Sequence, residues 1–281
     1  MSKAPRGPID WAGYLAQFHE SRPGILEDVF SRATAGGATP YRWLTRVVSN
    51  RAKTVLDLSC GSGRLGRELD TSDERTIVGV DSSMPELRVA LERGAAADAA
   101  DGFPETSIGR QGSWVCGSPL KLPLADESVD VVVSVMSFSI VRPLPVLMAE
   151  VARVLRPGGM FAVLAPTNRP MALRDLKVMA RMYAHLRGKP RLPKRSQDAD
   201  RRYSLTKLVT DAGLRKLESK RELYRYPVYE RQDAERFVHS LYLPKVRPER
   251  IEATIDWLDK QAAKTGSVEL PMPMRRFAAV K

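Results

Sequence analysis

Apolar residues recur along the chain in two different periods, and the switches between them mark out the elements. Over residues 11–48 they fall at helical spacing, with Trp11, Tyr14, Leu15 and Phe18 on one face and Ile25, Leu26, Val29 and Phe30 on a second. Gly36, Gly37 and Pro40 interrupt this pattern before a helix carrying Trp43, Leu44, Val47 and Val48. Short apolar runs, several of them β-branched, then alternate with helical stretches. Runs at 55–58, 77–80, 113–116, 129–135 and 160–164 read as buried strands, and helices are expected to Leu69, over 85–93 and over 146–155. Arg156-Pro157-Gly158-Gly159 reads as a turn into the fifth strand. The order predicts an α/β fold, a Rossmann-like, seven-stranded, mainly parallel sheet with helices on both faces.

Beyond Asn168 the pattern loosens. Leu173, Leu176, Met179, Tyr183 and Leu186 predict one amphipathic helix, and further helices are expected at 205–212, 233–243 and 248–265. Strands are expected at 221–226 and 274–280. The resulting division is a disordered leader at 1–10, a helical cap at 11–50, and a sheet domain of 51–165, 204–226 and 271–281. Segments 166–203 and 227–270 then read as helical lid insertions that close over an apolar pocket, with hinges at residues such as Pro170 and Pro193.

Charge sharpens this division. Residues 1–168 hold 18 Lys and Arg against 19 Asp and Glu, whereas 169–281 hold 27 against 14. Within 169–202 the balance is 11 to 3. Such a segment suits a solvated lid or an anionic partner: a phosphorylated or lipid substrate, an acidic carrier protein, a membrane surface or RNA. The apolar run of the fourth strand is too short and too polar to cross a bilayer, and the N-terminus has no signal-peptide pattern, so a cytoplasmic location is expected. Cys60 and Cys116 have neither disulfide-framework nor metal-ligand spacing, and no metal is expected.

The chemistry concentrates at one turn. In Thr54-Val55-Leu56-Asp57-Leu58-Ser59-Cys60-Gly61-Ser62-Gly63, a strand passes into a helix through glycines that let backbone N–H groups approach a ligand. Eighteen residues after Gly63, Asp81 ends the second strand, where a carboxylate can accept both hydroxyls of a ribose. Asp57, four residues before Gly61, would oppose a pyrophosphate and suits a cationic ligand better than a dinucleotide.

These residues resemble the class I S-adenosylmethionine-dependent methyltransferases, nearest to their small-molecule branch. VLDLSCGSG and VGVDSSMPELRVA look like that family's first two motifs. Gly117-Ser118-Pro119-Leu120-Lys121-Leu122-Pro123 and the 150–159 stretch match two more, in order. The resemblance implies S-adenosyl-L-methionine as cofactor, S-adenosyl-L-homocysteine as product and a small-molecule substrate. It implies that Asp57, Ser59, Gly61 and Gly63 surround the methionine part, that Asp81 and Ser82 meet the ribose, and that Met84, Gly117, Ser118 and Pro119 meet the adenine. Ser134 would flank the sulfonium. Ser59 and Ser118 depart from the family's usual Gly and Asp.

The acceptor is less legible. The end of the fourth strand, Ser134-Val135-Met136-Ser137-Phe138-Ser139, lacks both the N-P-P-aromatic and the Pro-Cys signatures, which disfavours amide and cytosine C5 acceptors. An O, N or C atom of a small or medium-sized metabolite, anionic or lipid-like, is the expectation. His19 and His239 are the candidate bases, and Tyr14, Phe18, Met136 and Tyr242 the candidate substrate walls. RNA methylation through the basic half, and a degenerate cofactor-binding or scaffolding protein, are the alternatives.

Overall fold

The computed structural model describes residues 8–49, 51–69, 75–100, 112–168, 171–191 and 204–281. Most of the expected leader, the hinge prolines Pro170 and Pro193, and residues 192–203 of the basic segment lie outside them. Three helices, α1 (Trp11–Ser21), α2 (Ile25–Phe30) and α3 (Pro40–Val47), precede β1 (Thr54–Leu58). Then follow α4 (Arg64–Leu69), β2 (Thr76–Asp81), α5 (Met84–Ala100), β3 (Ser113–Cys116), β4 (Val129–Val135), α6 (Ser137–Ile140), α7 (Leu144–Val154) and β5 (Leu155–Pro166). The chain ends with α8 (Leu173–Leu186), α9 (Leu205–Asp211), β6 (Arg215–Val228), α10 (Arg231–His239), α11 (Pro248–Thr265) and β7 (Val268–Val280).

The seven strands form one sheet in the order β3-β2-β1-β4-β5-β7-β6. β1 to β5 pair in parallel, and β7 runs antiparallel to both β5 and β6. Alternation along the strands explains why both faces are covered. Val55, Val131, Val133, Ala162 and Leu164 join one apolar cluster with α2 and α3, while Leu56, Leu58, Val132, Phe161 and Val163 join a second with α7 and α9. Strand order reverses between β1 and β4, which opens a crevice beyond the carboxyl ends of the strands.

Three expectations change. The Arg156–Gly159 turn is absorbed into β5, whose pairing with β4 shifts register between Val129 and Val131. β6 and β7 are far longer than expected and pair from Arg215↔Val280 to Val228↔Val268. β6 is the sheet edge, where charged residues are compatible with a strand and hide its apolar alternation. Finally, α8 is built into the domain rather than lying over it. Met182 and Leu186 sit in the same cluster as Ile255, Leu258 and Ala262 of α11. Arg225 of β6 donates to both oxygens of the buried Asp175, at 2.8 and 3.1 Å.

At the β2–β3 edge, Trp114 lies across a bed of glycines. A Cβ built on Gly79 would fall 2.2 Å from the indole Cε3, and one on Gly63 or Gly66 would fall 2.7 Å from Cη2. Gly79→Ala is therefore expected to overpack this layer and cost about 1–3 kcal/mol of stability. Urea unfolding measures the loss, which should shrink when Trp114→Leu is added, because the clash is pairwise.

Candidate functional site

The turn after β1 carries out in backbone geometry what its sequence suggested. Ser59, Gly61 and Gly63 take φ of 57°, 53° and 74°, and Gly63 N–H donates to Cys60 O at 3.0 Å. Asp81 ties this loop to the next one. Its Oδ2 accepts the Gly61 N–H and its Oδ1 the Ser83 N–H, each at 2.9 Å. Asp57 is 2% exposed, and its Oδ2 has no hydrogen-bond partner among the described residues. Burial, reinforced by the nearby Asp81 charge, pushes the Asp57 carboxyl up to about 7. Burial likewise raises Asp81 above the usual carboxylate range, against the two backbone donors that lower it.

The N-terminal helices close the crevice, and two buried carboxylates hold them there. Glu86, in the first turn of α5, is 3% exposed. It meets His19 Nδ1 at 2.8 Å and accepts the Gly24 N–H at 2.9 Å, which joins α1 and the start of α2 to the β2 side of the site. With Nδ1 facing Glu86, His19 keeps Nε2 for other partners. Glu27 of α2 accepts from Ser62 Oγ at 2.6 Å and Arg67 Nη2 at 2.7 Å, and pairs with Arg93 at 2.9 Å. Between these helices and the strand ends lies a cavity of about 600 Å³.

Its polar lining includes Asp57, Ser59, Gly61, Asp81, Ser82, Glu86 and Ser118, with Met84 and Pro119 among them. Ala12, Leu15, Val135, Met136, Ile140 and Val141 add apolar lining, beside His19, Glu20 and Ser137. Arg142 is the one Arg or Lys among the described residues of the wall. Met136 holds φ of 70°, an uncommon conformation for a non-glycine residue, and thereby turns the chain out of β4 at the cavity edge.

Several expected residues are placed otherwise. Gly63 faces Trp114, and Gly117 donates its N–H to Asp81 O at 2.9 Å, so neither lines the cavity. Ser134 is fully buried and donates to Leu58 O at 2.9 Å, so its hydroxyl supports the strand tips rather than the opening. Tyr14, Phe18 and Tyr242 stand behind the wall. Phe18 and Tyr242 rings lie 4.7 Å apart, and Tyr14 Oη accepts the Leu243 N–H at 2.8 Å. The two aromatics are four apart on α1 and share its inward face, while Ala12, Leu15, Ala16 and His19 form the cavity face. Of the two candidate bases only His19 reaches the wall. His239 lies outside it, lowered first by burial and then by the Arg22 charge. No described residue of 166–203 or 227–270 lines the cavity, so the roof is α1 and α2, and the 240–243 turn buttresses α1 from behind. Glu86 is not among the expected site residues; Ser83-Met84-Pro85-Glu86 has the spacing of a helix capping box, and the Glu86 N–H lies 3.5 Å from Ser83 Oγ.

Residues 56–163 match a family described as "Methyltransferase domain". Over that stretch, from β1 to β5, the chain is similar to methyltransferase domains. The chain is 26% identical over 175 residues to a ubiquinone/menaquinone biosynthesis C-methyltransferase of Paracoccus denitrificans, covering 57% of this chain and 66% of that protein. It is 34% identical over 113 residues to a 2-phytyl-1,4-naphtoquinone methyltransferase of Nostoc punctiforme, covering 40% of this chain and 45% of that protein. The chain thus spans less than two thirds of these relatives' lengths. Among solved structures, the [4+2]-cyclase SpnF superposes with a TM-score of 0.56 at 18% identity, covering 100% of this chain and 99% of that one. That likeness concerns the fold, and a fold shared with a protein named a cyclase leaves the chemistry to the site.

Ser59 stands in the left-handed region where a Cβ is penalised. Ser59→Gly is expected to raise the midpoint of thermal unfolding, corresponding to about 1 kcal/mol, if the loop keeps its geometry. A lowered midpoint would show that the Ser59 side chain holds the loop.

Proposed function

We propose that this protein transfers a methyl group from S-adenosylmethionine to an O, N or C atom of a small or medium-sized metabolite with an apolar body. The observation that carries the reading is the buried, unpartnered Asp57 oxygen in a cavity wall that also holds Asp81 and Glu86. Three carboxylates around one crevice destabilise each other until a cation joins them, and the cofactor carries both an ammonium and a sulfonium. When bound, it supplies a methyl group on a positively charged sulfur. Asp57 would meet the ammonium, the lone pairs left on Asp81 the ribose hydroxyls, and Met84 with Ser118 and Pro119 the adenine. The Ser118 hydroxyl already accepts the Leu120 N–H at 3.2 Å, which leaves its proton to donate.

The protein's share of catalysis is positioning and exclusion of water, which the α1–α2 roof and the apolar lining residues supply. Where an acceptor retains its proton, His19 Nε2 is the base, held in place by Glu86. The apolar lining suits a ring or chain, in keeping with the quinone-directed name of the first relative. A polynucleotide would need more than one cation, Arg142, along the wall.

Calorimetry with S-adenosylhomocysteine tests the cofactor site, and absence of binding would sink the reading. Asp81→Ala is expected to weaken binding by about 2–3 kcal/mol, a loss of roughly 30–150-fold. The pH dependence has a definite sign. Below about 7 the Asp57 carboxyl holds a proton that the arriving ammonium must expel, so affinity should rise with pH and level off above that value. Asp57→Asn should flatten that rise. Transfer of labelled methyl into a metabolite extract then identifies the acceptor.

A further inference from the structure

The outer face of α8 has a composition that its inner face does not explain. Inside, Met182 and Leu186 are buried and Asp175 is held by Arg225. Outside, Leu173 is 68% exposed and Leu176 47%. With the exposed Ala180 they form an apolar row at i, i+3 and i+7. Arg174, Lys177 and Arg181 form a second row at the same spacing, one residue along. Asp175 is the one acid in residues 171–191, and it points inward, with Arg174 reaching it only at 3.8 Å. A cleft of about 350 Å³ adjoins the basic row, and Trp257 of α11 contributes to its wall.

We propose that this face docks the protein on an anionic lipid surface. Apolar side chains flanked by cations are the pattern of a helix lying in a bilayer interface, with the leucines entering and the charges meeting headgroups. The half-buried Trp257 indole beside the cations is stacked on His185, with ring centroids 5.0 Å apart. The topology gives the docking a purpose. α8 begins seven residues after β5 ends, at the carboxyl edge of the sheet on which the cavity opens. A chain held by this face keeps that edge at the lipid, where an apolar acceptor is concentrated. RNA would use the same cations but gains nothing from Leu173 and Leu176, since base stacking needs aromatic side chains.

Co-sedimentation of the full chain with vesicles tests this directly. We expect binding to phosphatidylcholine vesicles containing about one third phosphatidylglycerol, weakened by salt, and little binding to phosphatidylcholine alone. The triple variant R174Q/K177Q/R181Q should lose roughly a hundred-fold in affinity. The double variant L173S/L176S should lose the part of binding that survives high salt. These positions are exposed, so folding should persist, and S-adenosylhomocysteine binding equal to that of the unaltered chain would confirm it. Absence of vesicle binding, indifference to lipid charge, or tighter binding to single-stranded RNA than to vesicles would overturn the proposal. Vesicle binding without S-adenosylhomocysteine binding would instead count against the methyl-transfer reading and leave the docking face standing.

Discussion

A single buried carboxylate, Glu86, holds the two halves of the site together. It sits at the start of α5, one turn beyond the acid that ends β2, and it takes a hydrogen bond from α1 and another from the Gly24 backbone. Beside it, apolar contacts, the Glu27 cluster, the Tyr14–Leu243 hydrogen bond and the Arg32–Asp233 ion pair hold the N-terminal segment in place. A buried carboxylate is costly unless its lone pairs are used, and here both oxygens are. The partners could not be replaced by water without opening the roof. The shape of the cavity and the placement of His19 at its wall therefore share one cause.

Beneath that roof the sheet gathers negative charge. Asp57, Asp81 and Glu86 come from β1, β2 and α5, and parallel pairing with register Leu58↔Val80 brings the first two strand ends side by side. Their mutual repulsion is unfavourable, and a cationic ligand between them would relieve it. The two non-glycine residues with left-handed backbone here, Ser59 and Met136, lie on either side of the same crevice, after β1 and after β4. Both bend the chain where the sheet's topology reverses. Stability is conceded at the place where close approach to a ligand is required.

The positive charge of the second half divides in the same way between structure and surface. Arg225 is consumed internally by Asp175, and Arg276 lies over the Trp43 and Tyr224 rings while its Nε donates to Tyr224 Oη at 2.9 Å. Arg231 is spent on Glu235, Glu252 and Asp256, tying α10 to α11. On α8, Arg174, Lys177 and Arg181 form a row beside two exposed leucines, and Arg174 lies 3.8 Å from Asp175. Among the described residues no helix is long and apolar enough to cross a membrane.

By itself the sequence determined the parallel α/β frame, the glycine turn and the acids at the ends of β1 and β2. These are local signals, because a strand-turn-helix transition and the acid that closes it are encoded within a few residues. It also marked α8 as amphipathic and 169–281 as basic. Only the tertiary structure decided which face of α1 meets the cavity. Tyr14 and Phe18 share a face with the more apolar surface, so they turn to Tyr242 and leave Leu15 and His19 at the wall. It alone showed Glu86 as the anchor of the roof, since its partners lie 62 and 67 residues away in sequence. It alone removed His239 from the site and set α8 against α11, since long-range packing decides which amphipathic helices become walls. The length of the β6–β7 ribbon was hidden for a related reason: an edge strand draws its stability from a partner, and its own charged pattern does not reveal that partner.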